Sequence, residues 1–285
     1  MPRINVQGTA VEYLDQGSGD LVVLLHSSGA SGTQWRALAE TLAQHYRVIA
    51  PDLYGYGATP HWEGRGAFSL GHEAAIVQAL LERLGAPAHL VGHSYGGAVA
   101  LNVAATVEHA LLSLTLIEPV AFHLLRGGNA ADNDALHEIM GVVENVTRSL
   151  ICGDYAGGFC RFVDYWTGCG AWAALSPARR DALAPRLAKV ALDFHATLTE
   201  PTRLDDARAI GVPTLLIQGA VTKEPTRRIC NHLARTLPEA CQHTIDGAGH
   251  MAPLTHGEAV NPLIAAHLAT NATHLTRRTK WASYR

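Results

Sequence analysis

The chain opens with apolar and polar positions in alternation. Ile4 and Val6 fall on one side, Val11 and Tyr13 resume the pattern, and Gln7-Gly8-Thr9 lies between them as a turn. A period of two predicts a hairpin from Ile4 to Asp15. Leu21 to Leu25 is an unbroken apolar run, as expected of a strand covered on both faces. The two periods then take turns. A helical pattern opens at Gly32-Thr33-Gln34 and places Trp35, Leu38 and Leu42 together, followed by a strand from Tyr46 to Ala50. Ser69 to Leu84 puts Ala74, Val77, Leu80, Leu81 and Leu84 on one helical side, with Gly85 as the stop. A strand runs from Ala88 to Val91, an alanine-rich helix from Gly96 to Val107, and a strand from Leu112 to Ile117.

Between Pro119 and Pro213 the strand pattern disappears. Residues 120–205 read as helical, broken by glycines at Gly127-Gly128, Gly157-Gly158 and Gly168-Cys169-Gly170. Alternation then returns, with strands at Pro213–Gln218 and Cys241–Ile245 and helices at Pro225–Leu237 and His256–Leu268. Strands alternating with helices imply an α/β class and a mostly parallel sheet covered on both faces. The expected organisation is a core from residues 1–119 and 206–285, with 120–205 inserted as a helical cap.

Composition narrows the partners. The chain has 285 residues, 48% hydrophobic and 16% charged, which suits a large buried core and argues against disorder. Net charge is −3 with no basic stripe, so no nucleic-acid partner is expected. The one basic concentration, Arg277-Arg278-Thr279-Lys280, reads as a solvated tail. No apolar run is long enough to cross a bilayer, and Met1-Pro2-Arg3-Ile4-Asn5 lacks the apolar stretch of a signal peptide. A cytoplasmic location follows as an expectation. The 5 cysteines form no C-x-x-C pair and read as free thiols, while the 16 histidines are scattered without H-E-x-x-H. Neither a metal nor a cofactor is expected.

Candidate chemistry starts at Gly92-His93-Ser94-Tyr95-Gly96. The strand that precedes it and the helix that follows it are the context a nucleophile elbow needs. Glycines stand two positions either side of the serine because larger side chains there would clash in so tight a turn. The hydroxyl is lifted above the sheet, over a helix N-terminus. With Leu24-Leu25-His26-Ser27-Ser28-Gly29, Pro51-Asp52-Leu53-Tyr54-Gly55-Tyr56-Gly57 and Gly247-Ala248-Gly249-His250 in the same order, the chain resembles the α/β-hydrolase family over nearly its whole length. The resemblance implies an eight-stranded, mostly parallel sheet flanked by helices, an inserted helical cap, and a serine nucleophile.

It also implies roles. Ser94 is the nucleophile and His250 the base. The backbone N–H groups of Tyr95 and Ser28 form the oxyanion hole, although Ser27 stands where the family usually has glycine. His93 is expected to support its neighbour, not to act as a base. The acid departs from the common pattern. Three residues past Gly219, where the family usually places Asp, stands Thr222. Glu118, after the preceding strand, matches the position used by certain haloalkane dehalogenases and a fungal zearalenone lactonase. Glu118 is therefore the candidate, with Glu224 and Asp246 as alternatives. The pocket is expected to involve Ser27, Phe162, Tyr165, Trp166, Trp172 and Met251, and no cluster of Arg or Lys is expected beside it. The implied activity is hydrolysis of a small to medium apolar carboxylic ester or lactone through an acyl-enzyme. A C–C bond hydrolase of ring-fission diketones is the alternative, then a cofactor-free perhydrolase or oxygenase. The partner is a small apolar molecule; oligomeric state is not legible.

Overall fold

The computed structural model describes residues 1–107 and 110–272. The basic stretch Arg277–Lys280 lies outside the described residues. Eight strands, β1 (Arg3–Val6), β2 (Thr9–Gly17), β3 (Asp20–Leu25), β4 (Tyr46–Pro51), β5 (Ala88–His93), β6 (Leu111–Ile117), β7 (Thr214–Gly219) and β8 (Ala240–Ile245), form one sheet in the order β1-β2-β4-β3-β5-β6-β7-β8. β1, β2 and β4 pair antiparallel, and every other pairing is parallel. The helices are α1 (Arg36–Leu42), α2 (Leu70–Leu84), α3 (Tyr95–Val107), α4 (Ala130–Ile151), α5 (Tyr155–Thr167), α6 (Pro177–Leu183), α7 (Leu187–Thr199), α8 (Glu224–Thr236), α9 (Ala252–Thr255) and α10 (Gly257–Ala272).

The pattern of β3 explains the layering. Leu21, Val23 and Leu25 pack on one face with residues of α2, α3 and α8. Val22 and Leu24 pack on the other with α1 and α10. Both faces are covered, so the central strand is apolar at every interior position. The edge strand β8 is mostly exposed or half-buried and correspondingly polar. The opening helical pattern begins as a 3₁₀ turn over Gly32–Trp35 before α1. Between β6 and β7 the chain makes four α-helices and no strand. Asp132 in the first turn of α4 ties that helical stretch to α8. Its Oδ1 accepts from Arg228 Nε at 2.6 Å and His232 Nε2 at 2.7 Å, both on α8. All five cysteines are unpaired. Among the described residues, no helix is long and apolar enough to cross a membrane.

Candidate active site

Strand register places the first two site residues side by side. His93 on β5 pairs with Ile117 on β6, so Ser94 and Glu118 leave the sheet from adjacent positions. Both have left-handed backbones, φ 56° and φ 48°, which non-glycine residues adopt at a cost. Three hydrogen bonds hold the pair in place. Ser94 N donates to the Ile117 carbonyl at 2.9 Å, Glu118 N to Ile217 at 3.0 Å, and Val120 N to the Ser94 carbonyl at 3.2 Å. Glycine is required on both sides of the serine. A Cβ on Gly92 would sit 2.3 Å from the Gly96 carbonyl oxygen, and one on Gly96 would sit 2.4 Å from that of Leu25.

His250 comes from the loop between β8 and α9 and completes a chain of hydrogen bonds. Ser94 Oγ lies 2.9 Å from His250 Nε2, and His250 Nδ1 lies 3.0 Å from Glu118 Oε2. All three are buried. The carboxylate can only accept, so Nδ1 carries the proton and Nε2 is free to accept from the serine. Glu118 has two further donors, Gly219 N at 2.7 Å to Oε1 and the Thr222 hydroxyl to Oε2. Burial pushes its carboxyl up, but the bonds from His250, Thr222 and Gly219 outweigh that and hold it below the ordinary glutamate range. Thr222, where a carboxylate would commonly stand, here donates to the carboxylate of the neighbouring strand.

The alternatives for the acid lie elsewhere. Glu224 is ion-paired with Arg227 and Arg228 at the start of α8. Asp246 is exposed. His93 braces His250: its Nε2 donates to the His250 carbonyl at 2.9 Å, and Gln34 Nε2 donates to its Nδ1 at 3.1 Å. Burial lowers its pKa to about 3, so it stays neutral. His26 has the same character, with a pKa lowered to about 3 by burial. It accepts from Leu53 N and donates to the Ser27 carbonyl, which sets the turn that leads to Ser28.

Tyr95 opens α3, and the first N–H groups of a helix have no acceptor within it. Tyr95 and Ser28 both line the space in front of Ser94. The pocket is walled by Val120, Phe122, Phe162, Trp166 and Phe194, with Thr197 and Asp193 as polar members. Of the expected pocket residues, Phe162 and Trp166 are in this wall. Ser27, Tyr165, Trp172 and Met251 are not. The Ser27 hydroxyl is bonded to Gln34 at 2.8 Å, and the Tyr165 hydroxyl to Glu138 at 2.6 Å. Trp172 packs on Phe159 inside the insertion, and Met251 opens α9. Trp166 also lies over His250, with ring centroids 4.1 Å apart.

No Arg or Lys lines the pocket, but one lysine lies behind it. Lys189 on α7 is buried behind the pocket between Glu73 of α2 and Asp193 of α7. Burial disfavours its charge, but the two carboxylates more than compensate and hold its pKa above the ordinary lysine value. One signal for these residues was present in the sequence. Glu73 interrupts the apolar side of α2, and Lys189 and Asp193 stand four apart on the side of α7 that carries Val190 and Phe194.

With the geometry in hand, known proteins can be set beside it. The chain is 41% identical over 132 residues to the 2-hydroxy-6-oxo-2,4-heptadienoate hydrolase of Pseudomonas putida, a stretch covering 43% of this chain and 46% of that protein. It is 39% identical over 101 residues to the pimeloyl-[acyl-carrier protein] methyl ester esterase of Aeromonas salmonicida, covering 35% and 38%. The chain thus spans less than half the length of these curated relatives. The crystal structure of an enol-lactonase from Burkholderia xenovorans LB400 superposes with a TM-score of 0.73 over 94% of this chain and 100% of that one, at 20% identity, a likeness of fold. Residues 22–263 match the model of the alpha/beta hydrolase family, and the chain belongs to that family.

Proposed function

We propose that the chain is a serine hydrolase that cleaves a small, uncharged carboxylic ester or lactone through an acyl-enzyme. The observation that carries this reading is the unbroken relay from Ser94 Oγ through His250 to Glu118. His250 takes the serine proton as Oγ attacks the carbonyl. Glu118 orients the imidazole and stabilises its cation. The Tyr95 and Ser28 amides hold the tetrahedral oxyanion, each such donor contributing about 3 kcal/mol. The imidazolium then protonates the departing alkoxide. Water, activated by the same imidazole, releases the acid. Residues 120–205 act as the cap that roofs this chemistry.

The pocket bears on the substrate. Its walls are aromatic, and its only charged member is the carboxylate of Asp193. An anionic substrate would meet that carboxylate with no cation in the lining.

A second reading, C–C bond hydrolysis, is favoured by the resemblance to the heptadienoate hydrolase. It ranks lower because that substrate is named as an acid and the pocket offers it no counter-charge.

A fluorophosphonate probe tests the class, and labelling is expected at Ser94 and to be lost in Ser94→Ala. A folded protein that resists the probe refutes the hydrolase reading. Turnover of short p-nitrophenyl esters, a macrocyclic lactone and a dienoate then separates the substrate classes.

A further inference from the structure

The buried charges behind the pocket take no part in the relay, yet they touch both residues assigned to the oxyanion. Lys189 Nζ donates to Glu73 Oε1 at 3.0 Å and to Asp193 Oδ1. Its ammonium lies 4.7 Å from the ring centroids of Tyr56 and Tyr95 and 4.9 Å from that of Phe68. From Lys189 the contacts branch. Asp193 Oδ2 accepts from Ser28 Oγ at 2.6 Å and from the Tyr56 hydroxyl at 2.5 Å. Glu73 accepts from the Tyr95 hydroxyl at 3.3 Å and from Tyr54 N at 3.2 Å. Ser28 is thus tied to Lys189 through Asp193, and Tyr95 through Glu73.

The two ends of this network belong to different parts of the chain. Lys189 and Asp193 are on α7, in the segment between β6 and β7. Glu73, Ser28 and Tyr95 are in the core. The loop that carries Ser28 is gripped from the same side: Arg186 Nη1 donates to the Gly29 carbonyl at 2.8 Å and the Ala30 carbonyl at 3.1 Å. That loop is irregular, so its own secondary structure does not fix the Ser28 amide. Oxyanion donors lower a barrier only when held in place beforehand.

Resting on the serine-hydrolase reading, we propose that Lys189 and Asp193 are positioning residues that set the two oxyanion amides when α7 docks on the core. The hole is complete only beneath the closed cap. A charge buried this deeply is tolerated only when paired, so the docked position of α7 is the one in which Lys189 reaches both carboxylates.

Ser28→Ala and Tyr95→Phe test this. Each removes one hydroxyl tether and keeps the backbone amide and the pairing of Lys189. With a p-nitrophenyl ester, each is expected to lower kcat about tenfold, less than outright loss of a donor, with KM unchanged within about twofold. A boronic-acid analogue of the tetrahedral species should weaken by the same factor. The double variant should lose at least threefold less than the product of the single losses, because both tethers act through one lysine. Single variants with unchanged kcat, a loss confined to KM, or strictly multiplicative effects would each overturn the proposal. If wild-type Ser94 does not label with fluorophosphonate, the proposed function itself fails; if it labels and the variants behave as wild type, only the positioning role fails.

Discussion

The two walls of the site are built by different means. On the sheet side, Ser94, Glu118 and His250 follow the C-terminal ends of strands; adjacent register sets the spacing of Ser94 and Glu118, and the loop after β8 brings His250 to them. Only three non-glycine residues in the described chain have positive φ, and Ser94 and Glu118 are two of them. On the opposite side, which we propose is a cap, Phe162, Trp166, Asp193 and Phe194, with Lys189 behind them, come from two helices of the segment between β6 and β7, which has no strand to register them. Their positions depend on aromatic packing and one buried ion cluster. Ser94, His250 and Glu118 are therefore fixed by strand ends and the loops that follow them, whereas the space above them depends on how α5 and α7 dock.

The sheet-side wall should break most sharply. Glu118→Gln keeps the hydrogen-bonding shape but removes the charge and allows the wrong imidazole tautomer, so kcat should fall by roughly 10³–10⁴ with the fold intact. Thr222→Asp in that background returns a carboxylate to a position whose side chain already touches residue 118. At least about tenfold of the loss should come back, roughly 1.4 kcal/mol. No recovery would mean that the loop after β7 cannot aim an acid at His250.

The cap-side wall should fail in stability first. Lys189→Met leaves Glu73 and Asp193 buried and facing each other without a cation. Removing one partner from such a cluster costs about 3–5 kcal/mol. Urea unfolding of the variant should show it, and Glu73→Gln with Asp193→Asn added should recover part of the loss. A variant as stable as wild type would show that the cluster does not hold α7 to the core.

The same contrast governs what the sequence discloses. The elbow is legible because Gly92 and Gly96 meet backbone oxygens, a constraint that no other residue type satisfies. Glu118 is legible because Thr222 leaves the usual position without a charge and because the end of a strand faces the site. The cap is not legible in this way. At helical spacing, Phe159, Phe162, Tyr165, Trp166 and Trp172 look alike, yet only Phe162 and Trp166 reach the pocket. Lys189 and Asp193 are not legible as a pair with Glu73, because a charge on an apolar helix side reveals burial but not its partner, and Glu73 lies 116 positions from Lys189.

A smaller effect tests the attachment of the cap to the core. Burial raises the Asp132 carboxyl, but Arg228 and His232 lower it further, to about 2 from 3.8. A depressed folded pKa contributes stability above the unfolded value and loses it as pH falls through the folded one. Asp132→Asn should therefore cost about 2 kcal/mol at neutral pH, and the gap from wild type should close between about pH 4 and 2. An equal gap at both ends of that window would assign the loss to packing of α4 instead of its charge.

The finest test concerns the one place where the walls touch. Trp166 belongs to α5, yet its ring lies 4.1 Å from the His250 imidazole at an angle of 31°. Beneath the cap, that aromatic face is available to an imidazolium formed during reaction, a contact worth about 1 kcal/mol. Trp166→Leu should lower kcat for an acetate ester about fivefold, even though so small an acyl group does not need the far wall. A longer acyl ester should lose more, because it loses the wall as well. If the acetate is turned over as by wild type and only the longer ester suffers, Trp166 is part of the container alone. The division between a core that does the chemistry and a cap that encloses it would then be complete. A loss with acetate instead places one cap residue on the reacting groups, and the cap could not be exchanged or trimmed without slowing the chemical step itself.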